Sequence, residues 1–570
     1  MSASRPAAPA GGAVGLVPAL TVLAMLGPVA AGLAGTLLPA FGHFPAAGLT
    51  GPSLAPFAAL AVWPGLADAV RLSVTTGLLA TALSLTIVTL VLAGWSETRA
   101  FAVLRRLLSP LLAVPHAAAA FGLAFLIAPS GWIARAFSPW ATGWERPPDL
   151  LIAQDPLGLA LVAGLVAKEV PFLLLMALAA LAQIDAPGRM RVARALGYGR
   201  VTGWLKVVFP SIYAQIRLPV YVVLAYSMST VDVALILGPT TPPPLSVQIV
   251  TWMGAPDVSE RAVAAAAALL QGGLVLAALA VWRGAEVAVA RLGRGWAARG
   301  ARRTGDGALR GLGLTAGAVA AIAVLGGLAG LAVWSVAGFW TFPDPWPEAM
   351  TSRTWARVGP ALAGPAAATA LIAAVAVALA LALTLGCLEA EHRRSRALSR
   401  RGLWLVYLPL LVPQTAFLPG LQTLLLGLGA DRGVAPVIAA HLVFVLPYVF
   451  LSLSDPWRAW DPRFATQAAT LGAGPARVFW CVRLPMLLRP LLTAMAVGAA
   501  VSVGQYLPTL LIGGGRVATL TTEAVALASG GDRRAIGVTA LAQTAAAFLP
   551  FLIALAVPAW LWRNRRGLHV

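Results

Sequence analysis

Charge is what this sequence has least of. Only 11% of its 570 residues are Asp, Glu, Lys or Arg, against about a quarter in an ordinary soluble domain. A chain so poor in polar side chains could not cover a water-facing surface. With 59% apolar residues and a mean hydropathy of +0.83, its main solvent is lipid. Lysine is nearly absent: the only two are Lys168, in Ala-Lys-Glu, and Lys206, in Leu-Lys-Val. A phosphate-binding loop needs Gly-Lys-Ser/Thr after a glycine-rich turn. Neither lysine can serve, so the chain is not expected to hydrolyse ATP. Cysteine is limited to Cys387 and Cys481, which form no ligand pattern and are expected as free thiols. His-Glu-x-x-His and Cys-x-x-Cys are both missing, which argues against a metallohydrolase. No catalytic residue, metal site or bound cofactor is expected.

What is present is apolar length. Runs of about 20 residues, enough to cross a hydrocarbon core, recur twelve times. In the first half they cover 14–40, 67–93, 107–128, 156–182, 212–237 and 262–282. In the second they cover 313–340, 361–387, 403–428, 435–455, 487–512 and 536–562. The fold class expected is therefore all-α and integral to the membrane. The first run, from about Ala13 to Phe41, is too long for a signal-peptide core and reads as a retained helix. The net charge of +20 could suggest nucleic acid, but the basic residues cluster between apolar runs. With both termini in the cytoplasm, about 30 Lys and Arg fall on that side and about 9 outside, the bias that sets membrane topology. Arg563, Arg565 and Arg566 then anchor the tail, and no nucleic-acid partner is expected. The chain divides into a first half at 1–290 (core about 67–282), a polar linker at 291–312 and a second half at 313–570 (core about 361–562). The arginines of the Arg283–Gly313 stretch read as a solvated cytoplasmic connector.

The halves repeat. Ala193 to Leu245 matches Ala468 to Leu520 at a constant offset of 275, with Gly197/Gly472, Gly199/Gly474, Pro210/Pro485 and Ser227/Ser502 among the identities. Upstream, Pro115 and Gly122 are spaced as Pro413 and Gly420 are, and Pro171 and Asp185 as Pro447 and Asp461. Six spans per half make both halves enter the membrane in the same sense, a parallel repeat enclosing one path.

The most informative segments join the fourth and fifth spans: RVARALGYGRVTGWLKVVFP at 191–210 and TQAATLGAGPARVFWCVRLP at 466–485. Each reads as a short helix, a turn broken at Gly197 or Gly472, and a second amphipathic stretch ended by Pro210 or Pro485. Glycine takes left-handed backbone geometry freely, and small Ala193 and Ala468 allow another surface to come close. Gly197-x-Gly199 is not half a dinucleotide fingerprint, since no strand precedes it. A helix of this kind can dock in a partner's groove.

This pattern resembles the EAA loop of type I ABC importer permeases, an E-A-A-x-x-x-G motif with a proline thirteen residues after the glycine. Arg191 and Thr466 stand at the family's acidic position, and Val192 and Gln467 at its first alanine. The resemblance spans essentially the whole chain. It is strongest to fused two-half permeases of the ferric-iron and thiamine type, through the run from Pro115 to Leu126 and through Lys168-Glu169-Val170-Pro171-Phe172. It implies that the loops receive two copies of a cytoplasmic ABC ATPase, which uses the ATP. It further implies a periplasmic binding protein that delivers the substrate, thiamine or a related compound first and ferric iron second, across a bacterial inner membrane.

Ionisable or polar groups inside spans are costly and hence candidates for the path. Lys168 and Glu169 lie near the middle of span four and, as helix neighbours, point about 100° apart. Ser227 and Asp232 belong to span five, with Ser502, Gln505 and Tyr506 in the corresponding region. Interhelical hydrogen bonding is the competing role for the serines and glutamine. His441, alone on an apolar span, reads as structural, and His116 is ambiguous. Pro239, Pro242, Pro243 and Pro244 form a stiff external turn that could receive a binding protein. A proton- or ion-driven secondary carrier also fits twelve spans in two halves, with Lys168 and Glu169 at mid-membrane, but leaves the paired loops unexplained.

Overall fold

The computed structural model describes residues 15–302, 305–394 and 400–563; Arg565 and Arg566 lie outside them. Nearly everything described is helical, apart from one two-residue-per-strand hairpin pairing His43–Phe44 with Leu49–Thr50. Among the described residues nine helices are long and apolar enough to cross a membrane, and up to twelve spans result if each of three bent pairs counts as one. The helices at the twelve spans are α1 (Val17–Ala40), α2 (Leu66–Trp95), α3 (His116–Ile127), α4 (Leu159–Leu181), α5 (Phe209–Ser229) and α6 (Glu260–Ala298). The second set is α7 (Gly307–Val336), α8 (Ala363–Arg394), α9 (Gln414–Gly427), α10 (Ala435–Arg458), α11 (Leu488–Val503) and α12 (Arg533–Leu561).

Several expected spans are interrupted, each for a local reason. The run expected at 107–128 is broken: a 3-10 turn at Ser109–Ala113 ends in extended backbone at Val114, set by Pro115, and α3 starts afresh at His116. The preceding Arg99–Leu108 stretch is a separate amphipathic helix. Pro413 does the same before α9, bending 404–427 by 83°. The runs at 212–237 and 487–512 both break near their ends. Short helices Asp232–Leu237 and Leu507–Gly513 follow, then Leu245–Met253 and Leu520–Ala526. These starts keep the 275-residue offset, so the duplication holds for backbone as well as sequence. The linker also differs from expectation: α6 runs on to Ala298, and α7 already begins at Gly307.

The halves exchange their first helices. α1 packs on α9 of the second half, where Gly32, Gly35 and Gly420 bring the backbones together and Thr36 Oγ1 donates to Ala416 O at 3.0 Å. α7 packs on α3 of the first half, with Gly327 against Gly122. Gly122 and Gly420 are the equivalent glycines of the repeat. A Cβ at any of these positions would collide with the facing backbone. Without a hydrophobic force between helices in lipid, such close small-residue contact is what holds them together.

Candidate functional site

The loops joining α4 to α5 and α10 to α11 are built alike. Asp185 accepts from Gly188 N–H at 2.9 Å and caps the helix Ala186–Ala195. That helix closes on Gly197, at φ +80°: the Gly197 amide donates to Arg194 O and the Tyr198 amide to Ala193 O. In the second half Arg463–Thr470 closes on Gly472, at φ +83°, with Gly472 bonded to Ala469 O and Ala473 to Ala468 O. Both are Schellman closures with glycine at the left-handed position, satisfying the last helical carbonyls. Ala193 and Ala468 accept the longer bond in each. Gly199 and Gly474 are extended N-caps of the next helices, Arg200–Val207 and Pro475–Val478. Pro210 does not end the second helix, as the sequence suggested; it sits in the first turn of α5, after a 64° bend. Pro485 precedes the corresponding 75° bend.

Each loop presents an apolar side chain just before its glycine. Leu196 is 53% exposed and Leu471 88% exposed. An apolar side chain held out on a polar loop, with Arg191 and Thr466 also exposed, suits a docking contact better than a plain connector.

The anchoring of the two loops differs. Arg483, buried in the second loop, bonds Glu389 Oε2 at 3.1 Å and stacks on Trp460 and Trp457 at 4.3 and 4.8 Å. Its equivalent in the first loop is Val208, and there the fixing contacts come from the end of α2, where Arg200 donates to Ser96 O, and from the linker. Val201 N–H donates to Asp306 Oδ2 at 2.6 Å, and Lys206 Nζ donates to Trp296 O and Ala301 O.

Inside the membrane the sequence candidates separate. Lys168 is buried, and its Nζ donates to Leu111 O and Val114 O at 2.7 and 2.6 Å. It therefore satisfies carbonyls freed where the chain breaks before α3. Glu169, also buried, faces His116 Nε2 at 3.8 Å, and the His116 ring packs on Tyr226 at 4.9 Å. Asp232 accepts from Thr230 Oγ1 at 3.0 Å and lies within electrostatic range of Tyr226 and Tyr506. Glu169 lies within range of Tyr226 and of Tyr448 on α10. The structure thus brings Glu169, Asp232 and Tyr506 to one seam between the halves. His116, Tyr226 and Tyr448 join them there; the sequence singled out only the first of these, and without a role. Both carboxylates come from the first half, and Tyr448 and Tyr506 from the second.

Ser227 is buried with no hydrogen-bond partner for its Oγ among the described residues. Ser502 instead binds His441 Nδ1 at 2.9 Å, while Thr509 holds Nε2 at 2.8 Å. Both ring nitrogens are occupied, so His441 ties α10 to the break after α11. Gln505 takes part through its backbone carbonyl, which accepts from Thr509.

Residues 382–564 match the family model described as binding-protein-dependent transport system inner membrane component. The inner membrane ABC transporter permease protein YnjC of Escherichia coli (strain K12) is 31% identical over 465 residues, 80% of this chain and 82% of that protein. The molybdenum transport system permease protein ModB of Mycobacterium tuberculosis (strain ATCC 25618 / H37Rv) is 34% identical over 90 residues, 16% of this chain and 34% of its own length. The putrescine transport system permease protein PotI of Escherichia coli (strain K12) is 28% identical over 125 residues, 20% of this chain and 44% of its own. No solved structure matches the chain. Paired loops of one design on a duplicated, multi-pass inner-membrane bundle, with likeness to YnjC over four-fifths of the length, make this chain a type I ABC importer permease: a transport subunit, not an enzyme, that works with an ATPase and a substrate-binding protein.

Proposed function

We propose that the chain forms the complete two-half path for a small, positively charged substrate, thiamine or a related compound first and ferric iron second. Two ATPase copies dock one on each loop, at 191–210 and 466–485, in the cytoplasm, and both termini lie on that side. A binding protein delivers substrate at the opposite face. The observation that carries this reading is the pair of loops: two Schellman closures in register, each holding out a leucine. The cationic preference draws on the seam, where Glu169 and Asp232 offer negative charge and Tyr226, Tyr448 and Tyr506 offer ring faces that attract cations. PotI is a putrescine and ModB a molybdenum permease, so relatives differ in cargo, and the seam's carboxylates favour a cation here. Lys168, committed to backbone carbonyls, is left out of the path, while Ser227 and Gln505 remain candidates along it. An ATPase makes the ion-driven alternative unnecessary.

The test is co-purification from detergent followed by uptake. Wild-type permease should retain two ATPase chains, and Leu196→Asp with Leu471→Asp should retain none while still inserting in the membrane. Retention of both copies by the double variant, or thiamine uptake persisting in ATP-depleted vesicles under a proton gradient, would refute the proposal.

A further inference from the structure

Sequence equivalence predicts that the two coupling loops should be interchangeable, and the structure makes them unequal. In the first loop Val201, Thr202, Gly203 and Trp204 are all buried, whereas the corresponding Pro475–Val478 helix buries no residue. The difference traces to the segment between the halves. As α6 continues past the expected span end to Ala298, it carries Trp296 alongside the loop. Lys206 Nζ sits over the Trp296 ring at 4.5 Å and over Tyr198 at 4.8 Å, while donating to Trp296 O at 3.2 Å and Ala301 O at 3.1 Å. Arg302 covers the other part of Tyr198 at 6.0 Å.

Asp306, 8% exposed, then takes the Val201 amide, one of the free donors at the start of the Arg200–Val207 helix. Four residues on, Arg310 closes the set: its carbonyl accepts from Trp95 Nε1 at 2.8 Å and its guanidinium lies 4.9 Å from the Trp95 ring. The linker is thereby fixed to α2 as well as to the loop. A cleft of about 310 Å³, lined by Phe101, Leu178, Met190 and Trp204 among others, lies beside the loop, which also touches the end of α2, where Arg200 donates to Ser96 O. The loop is held from the linker and has room beside it. At the second loop, among the described residues, the outside anchor is the end of α8 and not the linker: its Glu389 takes Arg483.

We propose that residues 296–302 and 305–310 act as a strut for the first coupling loop alone, with Lys206 and Asp306 as its positioning residues, so that ATPase motion enters the two halves through differently supported loops. This rests on the reading of 191–210 and 466–485 as ATPase-docking loops. Both contacts are charge-assisted or made to otherwise free backbone groups, the class whose loss is felt most.

The experiment titrates the partner ATPase onto full-length permease in nanodiscs, with one loop blanked at a time. In the Leu471→Asp background, where docking runs through the first loop, Asp306→Ala and Lys206→Met should each weaken the apparent Kd at least five-fold. Asp306→Asn keeps an oxygen acceptor and Lys206→Arg keeps the donors, so both should restore the affinity. In the Leu196→Asp background, where docking runs through the second loop, all four variants should bind as their parent does. Unchanged affinity in the first background, or an equal loss in both, would overturn the strut. If Leu196→Asp and Leu471→Asp alone leave two ATPases bound, the docking reading itself fails and the strut falls with it.

Discussion

The left-handed glycines give the sharpest quantitative handle on the loops. Gly197 and Gly472 sit at φ +80° and +83°, where a side chain with a Cβ costs roughly 1–2 kcal/mol. A β-branched residue is the worst case there and asparagine among the best tolerated. Sterics beyond the backbone add little. A Cβ at Gly472 meets open space, and one at Gly197 meets Arg302 Cδ at an ordinary 3.5 Å. Removing glycine also reduces the freedom of the unstructured loop, which returns about 0.4–1 kcal/mol where the new residue fits. Valine does not fit and forfeits that return, so its cost is at least about 1 kcal/mol per loop, a roughly five-fold or larger shift away from the closed turn. Gly197→Val and Gly472→Val should each weaken ATPase binding to nanodisc-held permease at least about five-fold, and together at least about twenty-five-fold if the loops act independently. Asn at either position should remain close to wild type. Titration of labelled ATPase reads both. Equal affinities for Val and Asn, or wild-type affinity for the double valine variant, would refute the reasoning that the left-handed turn shapes the docking face.

Other expectations follow from the seam and the helix contacts. Glu169→Gln and Asp232→Asn should lower thiamine uptake in proteoliposomes while leaving ATPase retention unchanged; an unchanged uptake rate in both removes the seam from the path. Lys168→Met should do the reverse. It strands the carbonyl of Val114 at about 1–3 kcal/mol and leaves Leu111 O only the Val114 amide, so the thermal midpoint in detergent should fall without a change in substrate preference. Gly122→Leu and Gly420→Leu drive a side chain into a facing backbone and should each cost at least about 1–3 kcal/mol, read as early aggregation on heating. Arg483→Ala removes the buried partner of Glu389, which keeps Arg393 at 2.8 Å, so the loss should stay below the roughly 3–5 kcal/mol of a fully stranded buried charge. It should loosen the second loop to protease while sparing the first.

The sequence by itself determined the class of molecule and the place of its working parts. Charge scarcity demanded lipid, the apolar runs marked the nine to twelve candidate crossings, and a 275-residue register located both loops because Gly-x-Gly and proline spacing encode a local turn. Local turns are legible since neighbouring residues decide them: Gly197 and Gly472 close their helices by bonds to residues at most five positions away. Long-range partnerships were not legible. Hydropathy cannot say that α1 crosses to the second half and α7 to the first, because in lipid the choice rests on small residues, Gly32, Gly35 and Gly420 or Gly122 and Gly327, meeting face to face. Nor could it sort Lys168 from Glu169, adjacent in sequence yet turned to different neighbours, one to backbone carbonyls and the other to the seam. The unequal loops are the same lesson. The loops align without a gap, and the sequence shows Lys206 opposite Cys481 and Arg483 opposite Val208; what each anchor holds, brought beside it from about ninety positions away, only the tertiary structure decides.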